Sequence, residues 1–153
     1  MTVRIRAAAR DDVFRLCDWN AAMAHETEHK VLDAARLRAG VEGMLAHSAR
    51  GFYLVAEGDG EAVGSAMVTY EWSDWRNGNF WWIQSVYVLP QARRQGVFRA
   101  LHAAIAERAR AAGAIGLRLY VDLDNASAQA TYAALGMQRC HYALYESEFE
   151  ASA

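Results

Sequence analysis

One stretch limits the fold of this chain more than any other. Phe80 to Val88 is rich in aromatic and β-branched side chains and reads as a long strand. It runs through Leu89-Pro90 into a basic loop, and a helix then opens at a glycine, Gly96 to Ala112, with Val97, Leu101, Ala104 and Ile105 at helical spacing. Ile115, Leu117, Leu119 and Val121 then alternate along a second strand. A strand-helix-strand run of this kind makes a right-handed crossover, which places the two strands parallel and lays the helix over one face of the sheet.

The remaining segments add antiparallel strands. Val3 and Ile5 alternate with Arg4 and Arg6, a first strand. Asp11 or Asp12 can cap a helix carrying Val13, Leu16, Cys17 and Ala21, and a second helix is expected from Asp33 towards His47 despite Gly40 and Gly43. Phe52–Glu57 and Ala62–Trp72 read as strands around the Gly58-Asp59-Gly60 turn, and Asn77-Gly78 reads as a hairpin turn in which both residues tolerate positive φ. Asn125–Leu135 is a helix ended by Gly136, and Met137–Glu146 is expected to be a last strand. The order βααβββαβαβ predicts an α/β (α+β) fold: a mixed, mostly antiparallel central sheet with helices on both faces. Pro90 is the only proline and no linker stands out, so residues 1–153 are expected to form one domain.

Composition excludes several classes. The chain is 54% hydrophobic and 22% charged, as globular chains are, and its net charge of -2 carries no footprint for nucleic acid. No apolar run is long enough for a membrane span, and Met1–Arg10 lacks the apolar centre of a signal peptide. Cys17 and Cys140 form neither a disulfide framework nor a metal motif, which suits a reducing, cytoplasmic setting. His25 and His29 have a spacing that can ligate metal on a helix, but no open-site motif accompanies them, and no metal is expected.

The loop between the crossover strand and its helix carries the functional signal. A helix start offers unpaired N–H groups and partial positive charge, and a diphosphate is a natural ligand there. Gly96 would allow close approach, and Arg93, Arg94 and Arg99 would add charge. On composition alone, a solvated basic turn explains the same residues.

The sequence Arg93-Arg94-Gln95-Gly96-Val97-Phe98, with Tyr87-Val88-Leu89-Pro90 before it and Arg99-Ala100-Leu101 after it, resembles the cofactor-binding motif of the GNAT superfamily of N-acetyltransferases. In that motif Arg or Gln is followed after two residues by Gly, then after one more by Gly or Ala. Phe98 departs from it; its N–H can still face a phosphate if its ring turns away. Downstream, Asn125 is followed seven residues later by Tyr132 and then by Gly136-Met137, which resembles the family's second motif with Met for Phe. The two motifs stand in the family's order, within an element order that covers nearly the whole chain.

The resemblance implies acetyl transfer from acetyl-CoA to an amine by direct attack, without a covalent enzyme intermediate. The backbone of Val86, Tyr87 and Val88 would pair with pantetheine, with an N–H there polarising the thioester carbonyl. Arg93, Arg94, Gln95, Gly96, Val97, Phe98 and Arg99 would hold the diphosphate, and Asn125 would touch the cofactor. Tyr132 would protonate the departing thiolate; without the resemblance it reads as an amphipathic core residue. Many relatives place a Glu on the central strands, but the equivalent positions here are Trp82 and Tyr120. Glu26, Glu28 and Glu71 remain as candidate bases, acting through water, and a solvated helix end explains Glu26 and Glu28 equally well.

The family's acceptor pocket borders two segments, Ala24–Lys30 and Glu71–Arg76. Glu26, Glu28, Glu71, Trp72 and Trp75 are therefore candidate substrate contacts, suited by charge and cation–π attraction to a small amine. Trp81 and Trp82 face opposite sides of their strand, so at most one can point at a given pocket. The alternative is a non-catalytic acyl-CoA-binding or sensing module, which would keep Gly96 and the arginines without needing Tyr132. The family usually has two strands after the second motif, and here there is room for one. Tyr142, Leu144 and Phe149 therefore suggest a homodimer that completes or covers the sheet edge; a monomeric mass in light scattering would count against it.

Overall fold

The computed structural model describes residues 1–150. Residues 1–120 form one compact unit, and a second begins at Val121.

In the first unit, β1 (Val3–Ala7), β2 (Gly51–Gly58), β3 (Glu61–Ser73), β4 (Gly78–Val88) and β5 (Gly116–Leu119) form one sheet in sequence order. The first four strands are antiparallel and β5 joins β4 in parallel. α1 (Val13–Glu28), α2 (Ala34–Ala46) and α3 (Val97–Ala111) cover the sheet. The alternation of β2 assigns the faces: Leu54 and Ala56 join Val97, Leu101 and Ile105 of α3, while Tyr53 joins Leu16 of α1 and Val41 of α2. The mixed sheet with helices on both faces is the architecture expected from the element order.

Four local expectations need correction. Asp12 does not cap α1: it is 1% exposed, accepts from the Ala9 amide at 2.8 Å and from Arg6 at 2.7 and 3.0 Å, and closes a 3-10 turn over Arg10–Asp12. The β3–β4 connection is a four-residue loop, Asp74–Asn77, rather than a two-residue turn. Asn77 takes φ 50°, but Gly78 lies inside β4, where a Cβ would meet Ile115 Cγ2 at 2.7 Å; space rather than φ requires glycine there. β5 is shorter than Ile115–Val121. Residues 137–146 form no strand, and Tyr142, Leu144 and Tyr145 are exposed. Strand propensity needs a partner ladder, and none is present there among the described residues.

The second unit holds α4 (Ala126–Ala134). Asn125 caps it by accepting from the Ala128 amide at 3.0 Å. Gly136, at φ 85°, ends it as expected, with the Met137 amide reaching back to the Tyr132 carbonyl.

Candidate active site

The centre of the site is an irregularity in β4. Ser65 pairs with Tyr87 and Met67 with Gln84, so two residues of β4, Ser85 and Val86, oppose Ala66 alone. Ser85 takes φ 50°, uncommon for a residue with a Cβ. The extra residue shifts the alternation. Before it, Trp81 and Ile83 belong to the α3 core; after it, Val86 and Val88 pack there instead, and Tyr87 turns to Trp19 of α1 at a centroid distance of 6.3 Å. Without the bulge, Tyr87 would share the face of Trp81 and Ile83.

β5 accompanies β4 only from Phe80↔Gly116 to Ile83↔Leu119. Past Ile83, no strand pairs with that edge of β4 among the described residues. Val86 and Tyr87 therefore lie beyond the stretch of that edge that β5 pairs, because β5 ends at Leu119. The Val88 carbonyl is already taken by Arg93 Nε at 2.9 Å.

The loop that follows is shaped to present backbone N–H groups. A 3-10 turn over Pro90–Ala92 buries Ala92, Arg93 is extended, Arg94 takes φ 62°, and Gly96 takes φ 82° where α3 begins. Such left-handed positions beside a helix start form an anion-binding concavity. The space beside Gly96 is open, so glycine serves the backbone angle there, and it offers no side chain to cap the helix. Arg94, Gln95 and Arg99 are exposed around the turn, Val97 is buried beneath it, and the Phe98 ring lies beside His102 at 6.2 Å. The donor set fits a diphosphate. Gly64 of β3 lets the loop settle: a Cβ there would stand 2.8 Å from the Tyr87 carbonyl oxygen and 3.2 Å from Val97 Cγ1. A glycine within a strand often marks such an approach, a signal the sequence reading left unused.

Glu26, in the last turn of α1, ties these parts together. It accepts from Arg93 Nη2 at 2.8 Å and from the Tyr87 hydroxyl at 3.1 Å. The Arg93 bond comes first among the effects that hold its carboxyl below the usual range, with Tyr87 adding to it. Burial, then the neighbouring Glu26 carboxylate, pushes the Tyr87 phenol up. Glu28 stands apart from this group, exposed and 3.7 Å from Lys30.

On the same sheet face as Trp82, β3 to β5 carry a second group. Arg118 donates to Glu71, and its guanidinium lies 3.6 Å from the Phe80 ring centroid. Trp82 and Tyr120 pack at 4.6 Å, and Gln84 donates to Thr69 at 2.6 Å. Glu71 and Trp72 do not meet in one pocket, because adjacent strand residues point to opposite faces. Trp72 lines a cavity of about 390 Å³ with Tyr70, Trp81 and the end of α3, while Trp75 sits in the hairpin loop, 87% exposed. Arg118 escaped the sequence reading, although a charge in an apolar strand marks the polar face.

Within the second unit, Asn125 begins α4 and Tyr132 lies half-buried on it. Burial raises the Tyr132 phenol, which keeps it protonated at neutral pH. Among the described residues no cluster of His, Cys, Asp and Glu could hold a metal ion, and no helix is long and apolar enough to cross a membrane.

Comparison with known proteins bears on this arrangement. Residues 13–137 match the model of the acetyltransferase (GNAT) family. A solved structure described as a possible acetyltransferase from Clostridium difficile 630 is 42% identical, with a TM-score of 0.90 over 99% of this chain and 100% of that one. A predicted acetyltransferase with acetyl-CoA from Clostridium acetobutylicum is 16% identical, with a TM-score of 0.78 over 95% of this chain and 96% of that one. The glucosamine-6-phosphate N-acetyltransferase of Arabidopsis thaliana is also 16% identical, with a TM-score of 0.72 over 97% and 99%; these two share the fold. No curated protein matches the chain. The bulged strand, the glycine-opened helix behind it and the family match together identify this chain as a member of the GNAT acetyltransferase family.

Proposed function

We propose that the chain transfers an acetyl group from acetyl-CoA to the amine of a small molecule, by direct attack while both substrates are bound. The observation that carries this reading is the pairing of a free β4 edge beyond Ile83 with the left-handed turn that opens α3 at Gly96. The edge would take pantetheine as an added strand, and the turn would take the diphosphate. A solved protein of the same fold is described with acetyl-CoA, which supports the choice of cofactor.

The chain's own groups then divide the work. A backbone N–H of the bulged segment polarises the thioester carbonyl. Tyr132, protonated at neutral pH, gives its proton to the departing thiolate. Asn125 caps its helix and stands among the expected cofactor contacts. Glu26 serves better as a holder of Arg93 and Tyr87 than as a base, because a carboxylate held below its usual range takes a proton poorly. The amine is then deprotonated through water or enters neutral.

Tyr132→Phe tests this directly. Its kcat should fall on the order of 100-fold, the lower end for loss of a general acid, while calorimetry shows unchanged CoA affinity. Full turnover in the variant would favour the non-catalytic role of Tyr132 and remove the proposed proton donor.

A further inference from the structure

Building on the acetyl-transfer reading above, we infer that Arg118 selects acceptors that carry a carboxylate close to the reacting amine. Arg118 stands opposite Trp82, one rung before β4 and β5 part. Its guanidinium lies over the Phe80 ring, 3.6 Å from the centroid, a contact that restricts where the group can sit. Glu71 accepts from Nη1, and among the described residues this is the one hydrogen bond made by the Arg118 side chain, out of its five N–H donors.

That geometry suits a planar carboxylate, which a guanidinium edge can bind through two parallel bonds. It suits a doubly charged phosphate less well, because Glu71 would stand beside it as a like charge. The same arrangement argues against Glu71 as the site for a cationic amine, since its charge is already met by Arg118. The rest of this face presents Trp82, Tyr120, Gln84 and Thr69, which are aromatic surface and neutral hydrogen-bonding groups. An amine at the mouth where the strands part would bring a carboxylate a few bonds away to Arg118. The acceptor class is thus a compact amino acid or a similar amino carboxylate.

The test compares matched acceptors: glycine with glycinamide, methionine with methioninamide, and phenylalanine with phenylalaninamide. The amides have the less basic amine and hold more of it in the neutral form near neutral pH, so a preference for the acids is not explained by amine ionisation and reports recognition. Wild type should favour at least one acid over its amide by about 10- to 100-fold in kcat/KM, the range for a charge-assisted hydrogen bond. Arg118→Gln should bring that ratio close to one through KM. Glu71→Gln should leave the preference for acids in place or raise it. A thermal melt of each variant, with CoA affinity by calorimetry, separates loss of fold from loss of recognition. Equal use of acids and amides by wild type, with CoA bound normally, would overturn this inference and leave the transferase reading standing. An acid preference that survives Arg118→Gln would do the same. A protein that binds no CoA and acetylates none of the pairs would sink both.

Discussion

The two ends of α1 each carry a carboxylate gripped by arginine, and they behave differently. Asp12, just before the helix, is 1% exposed and is held by Arg6, Arg15 and the Ala9 amide, while Arg6 also reaches Glu57 at 2.9 Å. Glu26, in the last turn, is exposed and is held by Arg93 and Tyr87. Both carboxyls titrate below their ordinary range because of an arginine bond. Solvent decides the difference: charges out of water attract strongly and are costly to unpair, whereas an exposed pair is screened and contributes little. The first cluster anchors the helix to β1 and β2; the second ties the end of α1 to β4 and the loop that precedes α3.

The largest effect should come from removing the anchor. Asp12→Ala leaves Arg6 and the Ala9 amide without their partner and should cost about 3 kcal/mol in urea unfolding, with CoA affinity unchanged. If Glu26→Ala costs as much, the contrast between the two ends fails. Next comes pH. The Asp12 carboxyl is lowered from 3.8 to about 2, first by the Arg6 hydrogen bond, so its contribution is complete above the unfolded value. It should fade as pH drops through about 2, a loss of about 2 kcal/mol, and Asp12→Asn should flatten that part of the stability profile. The smallest effect belongs to the tether. Glu26→Gln should change stability by less than about 1 kcal/mol. It also removes a negative charge beside the diphosphate turn, so CoA should bind a few-fold tighter at low salt, and calorimetry should show this gain shrinking as salt rises.

The same contrast explains what could be read in advance. Residues near in sequence announce themselves: the helix opening at Gly96, the cap at Asn125, the end at Gly136 and the strand through Leu54 all rest on local backbone preferences. Asp11 or Asp12 reads as a helix cap, the local role open to either, because nothing near them in sequence shows that Arg6 and Glu57 meet across two strands. Asn77-Gly78 misled in the same way: the dipeptide fits a two-residue turn, but the pairing of Ser73 with Gly78 placed the glycine in the ladder. Residues 137–146 have strand-forming composition but pair with no strand among the described residues.

What the sequence determined by itself was therefore the elements from β1 to α4, their order and the two family motifs, because these depend on side-chain period and on backbone angles a few residues can impose. Tertiary structure alone decided which side chains meet. The bulge at Ser85 turns Tyr87 from the α3 core towards Glu26, and pairing across three strands sets Arg118 beside Glu71 over Phe80. Strand register has a period of two, so one unpaired residue reverses every side chain after it. That choice is settled by contacts between distant segments and leaves no mark in the local pattern.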